Sequence, residues 1–164
     1  MGLEKDWSLE HKFEPQIKAI LADQFITKDI DADMEQATDF AIYVIKPFKV
    51  AVRLRRYDYY PSFSHQFTVR WSRPSGAETE IDKIREGKVD YFLYGFIDES
   101  ETRIIQHFIG DLAIFRNNEP DPCQIFQNDP YDSKFAVWNI NQFPTNFIIK
   151  FWNETQNSTQ TTIG

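Results

Sequence analysis

The sequence predicts a single domain of the mixed α/β (α+β) class with a mixed central sheet. Apolar residues recur at helical spacing near the N-terminus, whereas two later segments alternate between apolar and polar side chains. A third segment, 89–97, is apolar almost throughout, as is typical of a strand covered on both faces. The chain has 164 residues, enough to bury one hydrophobic core. We expect a globular domain over residues 1–152 and a disordered tail over 153–164.

The first element is a helix expected over residues 8–26. Ser8 is a suitable N-cap, and one apolar stripe follows it. The stripe consists of Phe13, Ile17, Ile20, Leu21 and Phe25. Because Pro15 falls inside this run, the helix either begins near it or has an irregular first turn. The next segment, Thr27–Glu35, carries four carboxylates and is expected to be a polar loop.

Three strand-like segments follow, at 39–45, 49–56 and 66–73. In the second segment, Arg53 and Arg55 lie on the face opposite the apolar residues. The third segment alternates in the same way and carries Arg70 on its polar face. Since short connections favour pairing of consecutive strands, we expect an antiparallel meander. The register is open, so the sequence leaves undecided whether the arginines share one face.

The second half predicts one helix and further strands. Ser75 and Glu78 fit a capping box for a helix that Gly87 ends. Segments 89–97 and 103–109 are expected to pair, and Asp111 to begin a short helix. Asn, Asp and Pro are frequent in 117–133, which predicts an irregular connection. A strand at 135–140 and an apolar segment at 143–152 follow.

Charge is distributed unevenly along the chain. The net charge is −7, yet Lys46 to Lys88 contains ten Lys or Arg against five Asp or Glu. This predicts a local positive face, although solvated strand edges are an alternative use of such charges. The candidate nucleic-acid-binding residues are Arg53, Arg55, Arg70 and Arg73, and their alternative is pairing with carboxylates. Nearby Tyr57, Tyr59, Tyr60 and Phe63 suit either stacking on bases or packing of a loop.

Several classes of protein are disfavoured by composition. The longest apolar runs are too short to cross a membrane, and no apolar targeting segment follows Met1, so we expect a cytoplasmic protein without a membrane partner. The one cysteine, Cys123, excludes an internal disulfide and a cysteine cluster for zinc. The six glycines are scattered and form no phosphate-binding loop.

The predicted order of elements over residues 8–97 is helix, three strands, helix, strand. This order resembles the αβββαβ core of the PD-(D/E)xK nuclease superfamily, the restriction-endonuclease-like fold. In that family an Asp opens one strand, and an acid-x-Lys triplet lies on the neighbouring strand of the same hairpin. Asp39 stands at the Asp position in this chain, and Arg53-Leu54-Arg55 stands at the position of the triplet.

The resemblance implies a DNA or RNA partner and Mg²⁺-dependent hydrolysis of phosphodiesters. Asp39 would be a catalytic and metal-binding residue, and Arg55 would supply the electrostatic part of the lysine's role. Because Arg53 cannot replace a carboxylate, a second metal ligand must lie elsewhere. Asp33 and Glu35 are the nearest in sequence. The alternatives are Glu14, Glu78, Glu80 and Asp82.

Two other functions fit the same residues. Arginine at position 53 favours a catalytically inactive, nuclease-like binding module on the same scaffold. The acidic remainder of the chain also fits a protein-interaction module in which the arginines are paired internally. The short length, with no separate DNA-reading domain expected, fits a small phage or mobile-element protein.

Overall fold

The computed structural model of the chain describes residues 9–36 and 47–157, with side chains for 9–25 and 47–155. The chain divides into two units, Met1–Pro47 and Phe48–Gly164. The helices are α1 (Glu14–Gln36), α2 (Tyr60–Phe63), α3 (Glu80–Arg85), α4 (Leu112–Asn118) and α5 (Glu154–Asn157). The strands are β1 (Val50–Arg55), β2 (Gln66–Ser72), β3 (Tyr91–Ile97), β4 (Ile104–Asp111), β5 (Gln124–Asn128), β6 (Ser133–Asn139) and β7 (Ile148–Asn153).

The strands of the second unit form two sheets. The larger sheet has the order β1-β3-β4-β7, and the smaller has the order β2-β6-β5. Strands β1 and β3 are parallel, whereas the other neighbours in both sheets are antiparallel. The larger sheet is therefore mixed, and the predicted α+β class is confirmed.

An aromatic core joins the two sheets. Phe67 on β2 is 1% exposed, and its ring centroid lies 6.0 Å from that of Phe92 on β3 and 5.9 Å from that of Trp138 on β6. Gly110 on β4 is required by this packing, because a Cβ there would lie 2.8 Å from a ring carbon of Phe147. Large buried rings contribute most of the apolar area of such a core, so this cluster is the main stabilising feature of the unit.

Helix α1 is longer than the sequence predicts. It runs to Gln36, so the prediction of a polar loop over Thr27–Glu35 is wrong. That segment contains neither Gly nor Pro, and its Lys, Ala, Met and Glu residues favour helix. Pro15 is the second residue of α1, where a missing N–H costs nothing. Residues 9–12 are helical as well and Phe13 is a turn, so the helical run starts before the proline and is irregular next to it, the second of the two alternatives stated.

The predicted meander is wrong for the two strands that are described. β1 pairs in parallel with β3, and β2 pairs with β6 in the other sheet. A 3₁₀ turn at Tyr57–Tyr59 and helix α2 connect β1 to β2, and this longer connection takes the place of a hairpin. The predicted strand 39–45 lies outside the described residues, and the αβββαβ core stays a prediction.

The helix after β2 begins later than predicted. Thr79 caps α3 and forms a capping box with Asp82, so the prediction of a box between Ser75 and Glu78 is wrong. Thr79 and Asp82 form both reciprocal hydrogen bonds of a capping box, including Thr79 N to Asp82 Oδ2 at 2.9 Å, and the helix therefore begins after Thr79. Gly87, with φ of +69°, follows the end of α3 in the left-handed conformation as predicted.

In the C-terminal half, the predicted pairing of β3 with β4 is confirmed. The predicted helix start at Asp111 is also confirmed, because Asp111 Oδ1 accepts a hydrogen bond from Ala113 N at 2.8 Å. One prediction there is wrong. Strand β5 lies within the segment expected to be irregular, because it adds to the edge of β6. β7 continues to Asn153, which pairs with Gln106, and α5 follows. The boundary of one domain at 1–152 stays a prediction.

Candidate nucleic-acid interface

The predicted metal ligands have no described side chains. Asp39 lies outside the described residues, and Asp33 and Glu35 lie on α1 where the backbone alone is described. Within residues 9–36 and 47–157 no group of three His, Cys, Asp or Glu side chains is placed to hold a metal ion. The assignment of these three residues to Mg²⁺ stays a prediction.

Arg53 occupies the position at which the resemblance would need an acid. Its side chain is 13% exposed and forms an ion pair with Glu80 of α3. The second oxygen of Glu80 accepts a hydrogen bond from the backbone N of Arg70 at 2.8 Å. Both oxygens of this carboxylate are thus engaged, and a guanidinium stands beside them. The described residues at the triplet position therefore do not fit a Mg²⁺ ion.

Arg70 approaches Arg53 from the other sheet. The guanidinium carbons of Arg53 and Arg70 lie 5.5 Å and 5.2 Å from the centre of the Phe135 ring. Strand β1 is at the end of one sheet in the described order, and β2 is at the end of the other. The two arginines therefore meet across the space between two sheets. The expectation that they lie on adjacent strands of one sheet is wrong.

Arg55 has different surroundings. Its guanidinium carbon lies 4.2 Å from the centre of the Tyr59 ring, close enough for a cation–π interaction. Among the described residues, no carboxylate forms an ion pair with it. Of the four predicted arginines, Arg55 thus combines a half-buried, fixed side chain with a charge that no described carboxylate neutralises.

Exposed aromatic side chains follow Arg55 in the sequence. Tyr57, Tyr59 and Phe63 are 37%, 45% and 46% exposed. Tyr59 and Phe63 are four residues apart in helical backbone and so project from one face. We call Arg55, Tyr57, Tyr59 and Phe63 the Arg–Tyr platform.

Contacts on the opposite side of this segment hold the platform in place. Tyr60 faces inward, and its ring lies 5.6 Å from that of Phe96. Asn153 Nδ2 donates to the Tyr60 hydroxyl at 3.0 Å and to Gln106 Oε1 at 2.7 Å. Gln106 Nε2 donates to the carbonyl of Ser64 at 2.6 Å. Residues 60 and 64 are thus fixed to β4 and β7, on either side of Phe63.

The sequence analysis did not identify Gln106 and Asn153 as residues that position this segment. Each is a lone amide side chain in a strand, more than 40 residues from the segment that it binds. No local pattern marks such a residue. Tyr60 was among the candidates for stacking on bases, but its inward orientation gives it a structural role.

The other two arginines of this region are not part of the platform. Arg56 forms an ion pair with Glu101 at 2.8 Å. Arg73 is exposed and follows the end of β2 remote from Phe63, about 20 Å along the strand. The structure therefore separates the four predicted nucleic-acid-binding arginines into three places.

Comparison of the chain with models of protein families, with curated proteins and with solved structures found no match. None of the described helices combines the length and the apolar composition that a membrane crossing requires.

Proposed function

We propose that this protein binds nucleic acid through the Arg–Tyr platform. The observation that carries the proposal is the Arg55 guanidinium stacked on the exposed Tyr59 ring, with no described carboxylate paired to it. Stacking uses the flat face of a guanidinium and leaves its N–H edges available to phosphate oxygens. Aromatic rings beside such a charge provide surfaces on which bases stack.

The charge of the surrounding segment supports a polyanionic ligand. Between Lys49 and Arg73 the sequence has six Lys or Arg residues against one acidic residue, Asp58, and two of the six, Arg53 and Arg56, are paired with Glu80 and Glu101. The rest of the chain is strongly acidic, so this segment is the part of the chain whose charge is most favourable to a polyanion. Hydrolysis is not part of the proposal, because the pairing of Arg53 with Glu80 leaves no carboxylate for Mg²⁺ at the triplet position.

Fluorescence anisotropy with short labelled oligonucleotides, at low and high salt, tests the proposal. Arg55→Ala should weaken binding and reduce the slope of log K against log salt by about 0.7 to 0.9, the contribution of one phosphate contact. Arg55→Lys should bind with intermediate affinity, because it keeps the charge and loses the stacked plane. The matched control is Lys83→Ala, an exposed cation on α3, which should bind like the wild type.

Two results would contradict the proposal: no salt-dependent binding of any oligonucleotide, or an Arg55→Ala variant that binds as well as the wild type. The same samples, incubated with Mg²⁺ and analysed on a gel, report cleavage. Cleavage by the wild type that is lost in Asp39→Ala would restore the nuclease interpretation, and would require a second acid outside the described side chains.

A further inference from the structure

We infer that the Arg–Tyr platform selects single-stranded over double-stranded nucleic acid, by stacking unpaired bases on Tyr59 and its neighbours. This inference rests on the proposed function and adds the class of ligand. It is carried by the orientation and exposure of the rings and by the rigidity of the segment that presents them.

The orientation of the rings does not serve the core of the protein. Tyr60 of the same segment packs inward against Phe96, whereas Tyr57, Tyr59 and Phe63 each expose more than a third of their surface. Tyr57 keeps one ring contact, 6.0 Å from the ring centroid of Tyr60, and grouped exposed rings of this kind are typical of interaction sites. The three rings form an exposed aromatic surface beside a cation.

The segment is also fixed before any ligand binds. Its polar contacts to Asn153 and Gln106 hold the Tyr60 side chain and the backbone carbonyl of Ser64, and Arg55 lies against Tyr59. A ring that is already ordered loses little conformational entropy when a base stacks on it. The platform is therefore preorganised for flat ligands.

Single-stranded and duplex nucleic acids differ in how far the faces of their bases are exposed, and this difference favours the single strand as the ligand. In a duplex each base is covered above and below by its neighbours, and a protein reaches only base edges and phosphates. In a single strand the faces of the bases are accessible, and stacking on an aromatic side chain is favourable for every base. The Arg55 guanidinium lies 4.2 Å over the Tyr59 ring, so its charge is close enough to contact the phosphate of a nucleotide whose base stacks on the platform.

A protein partner would also suit exposed tyrosine and arginine, which are common at the centres of interfaces. The charge of Arg55 favours nucleic acid over a protein. A partner protein would need a carboxylate placed against Arg55 beside the rings, whereas every nucleotide supplies a phosphate next to its base.

The test compares the affinity of the full chain for single-stranded and duplex oligonucleotides of one sequence, as DNA and as RNA. We expect the single strand to bind more tightly than the duplex. Tyr59→Ala should weaken single-strand binding about tenfold and leave the weaker duplex binding unchanged. Tyr59→Phe keeps the ring and should bind like the wild type, whereas Tyr59→Leu keeps apolar volume without the ring and should bind like Tyr59→Ala.

Tyr131→Ala is the matched control, because Tyr131 is 51% exposed and lies between β5 and β6, outside the platform. It should bind single strands like the wild type. Equal or tighter binding of the duplex, or wild-type binding by Tyr59→Ala or Tyr59→Leu, would overturn the inference while leaving nucleic-acid binding intact. Absence of binding to every oligonucleotide would instead overturn the proposed function. A preference for RNA over DNA single strands would point to contacts with the 2′-hydroxyl and leave the inference in force.

Discussion

The Arg53 side chain lies between the two sheets with Glu80 as its counter-charge. Its pairing with Tyr94 in the parallel register directs it towards the same side as the core rings of β3. Glu80 also accepts from the backbone N of Arg70, so one carboxylate connects β1, β2 and α3. Loss of this carboxylate would remove the counter-charge of a mostly buried guanidinium.

We therefore expect Glu80→Gln to lower the free energy of unfolding by about 1–2 kcal/mol. This is less than for a fully buried ion pair, because Glu80 is partly open to solvent. Glutamine keeps the shape and one acceptor oxygen but removes the negative charge. Urea denaturation followed by circular dichroism measures the change.

Glu78→Gln provides the matched control two residues earlier. Glu78 forms an ion pair with Lys88 at the surface, where solvent screens the attraction. Its substitution should change stability much less than that of Glu80. Equal losses for the two variants would show that the Arg53–Glu80 pair contributes no more than a surface ion pair.

At the scale of the element, the turn between β3 and β4 is organised by one carboxylate. Asp98 accepts hydrogen bonds from the Ser100 hydroxyl at 2.6 Å and from the backbone N of Arg103 at 2.9 Å, and Thr102 N donates to it at 2.7 Å. These bonds, led by that of Ser100, hold the pKa of Asp98 well below its usual range. The folded chain thus stabilises the ionised form of Asp98 more than the unfolded chain does.

This predicts a definite dependence of stability on pH. The folded pKa is depressed, so the contribution of Asp98 is complete above the unfolded value of about 3.9 and is lost as the pH falls towards the folded pKa. Asp98→Asn should be less stable than the wild type at neutral pH, and the gap should narrow below about pH 4. Denaturant titrations across this range measure the gap, with exposed Glu99→Gln in the same turn as a control that should stay close to the wild type. A gap that is constant with pH would contradict the role of the charge.

Local patterns predicted elements well where a single period decides the structure. The apolar run at β3 and the N-cap at Asp111 needed no information from distant residues. The partners of β1 and β2 could not be predicted in the same way. Both strands alternate as predicted, but the choice between β2 and β3 as the partner of β1 depends on a core whose buried residues come from four strands and two helices.

At the scale of the whole molecule, the candidate site also depends on residues far apart in the sequence, which limits its prediction from local patterns. The excess of cations between Lys46 and Lys88 predicted a basic region, and the aromatic residues at 57–63 were recognised as candidates for stacking. Which cations remain available was decided by carboxylates far along the chain, such as Glu80 for Arg53 and Glu101 for Arg56. The sequence therefore named the residues of the Arg–Tyr platform among its candidates but could not separate them from Arg53, which is paired with Glu80, or from Tyr60, which packs on Phe96.

The whole molecule combines a buried aromatic core with an exposed aromatic platform, and two phenylalanines four residues apart distinguish their roles. Phe67 lies against rings of both sheets, and its replacement by alanine should leave a large cavity and cost about 4 kcal/mol of stability. Phe63 is exposed on the platform, so Phe63→Ala should change stability by less than about 0.5 kcal/mol.

Binding should reverse the order of the two effects. Phe63→Ala should weaken the affinity for single-stranded oligonucleotides, because one stacking surface is lost. A milder core variant, Phe67→Leu, should lower stability and retain the affinity under conditions in which it is folded, because Phe67 does not reach the platform surface. Thermal denaturation and anisotropy on the same preparations measure both quantities. Loss of affinity in folded Phe67→Leu, with normal affinity in Phe63→Ala, would place the binding surface elsewhere on the protein.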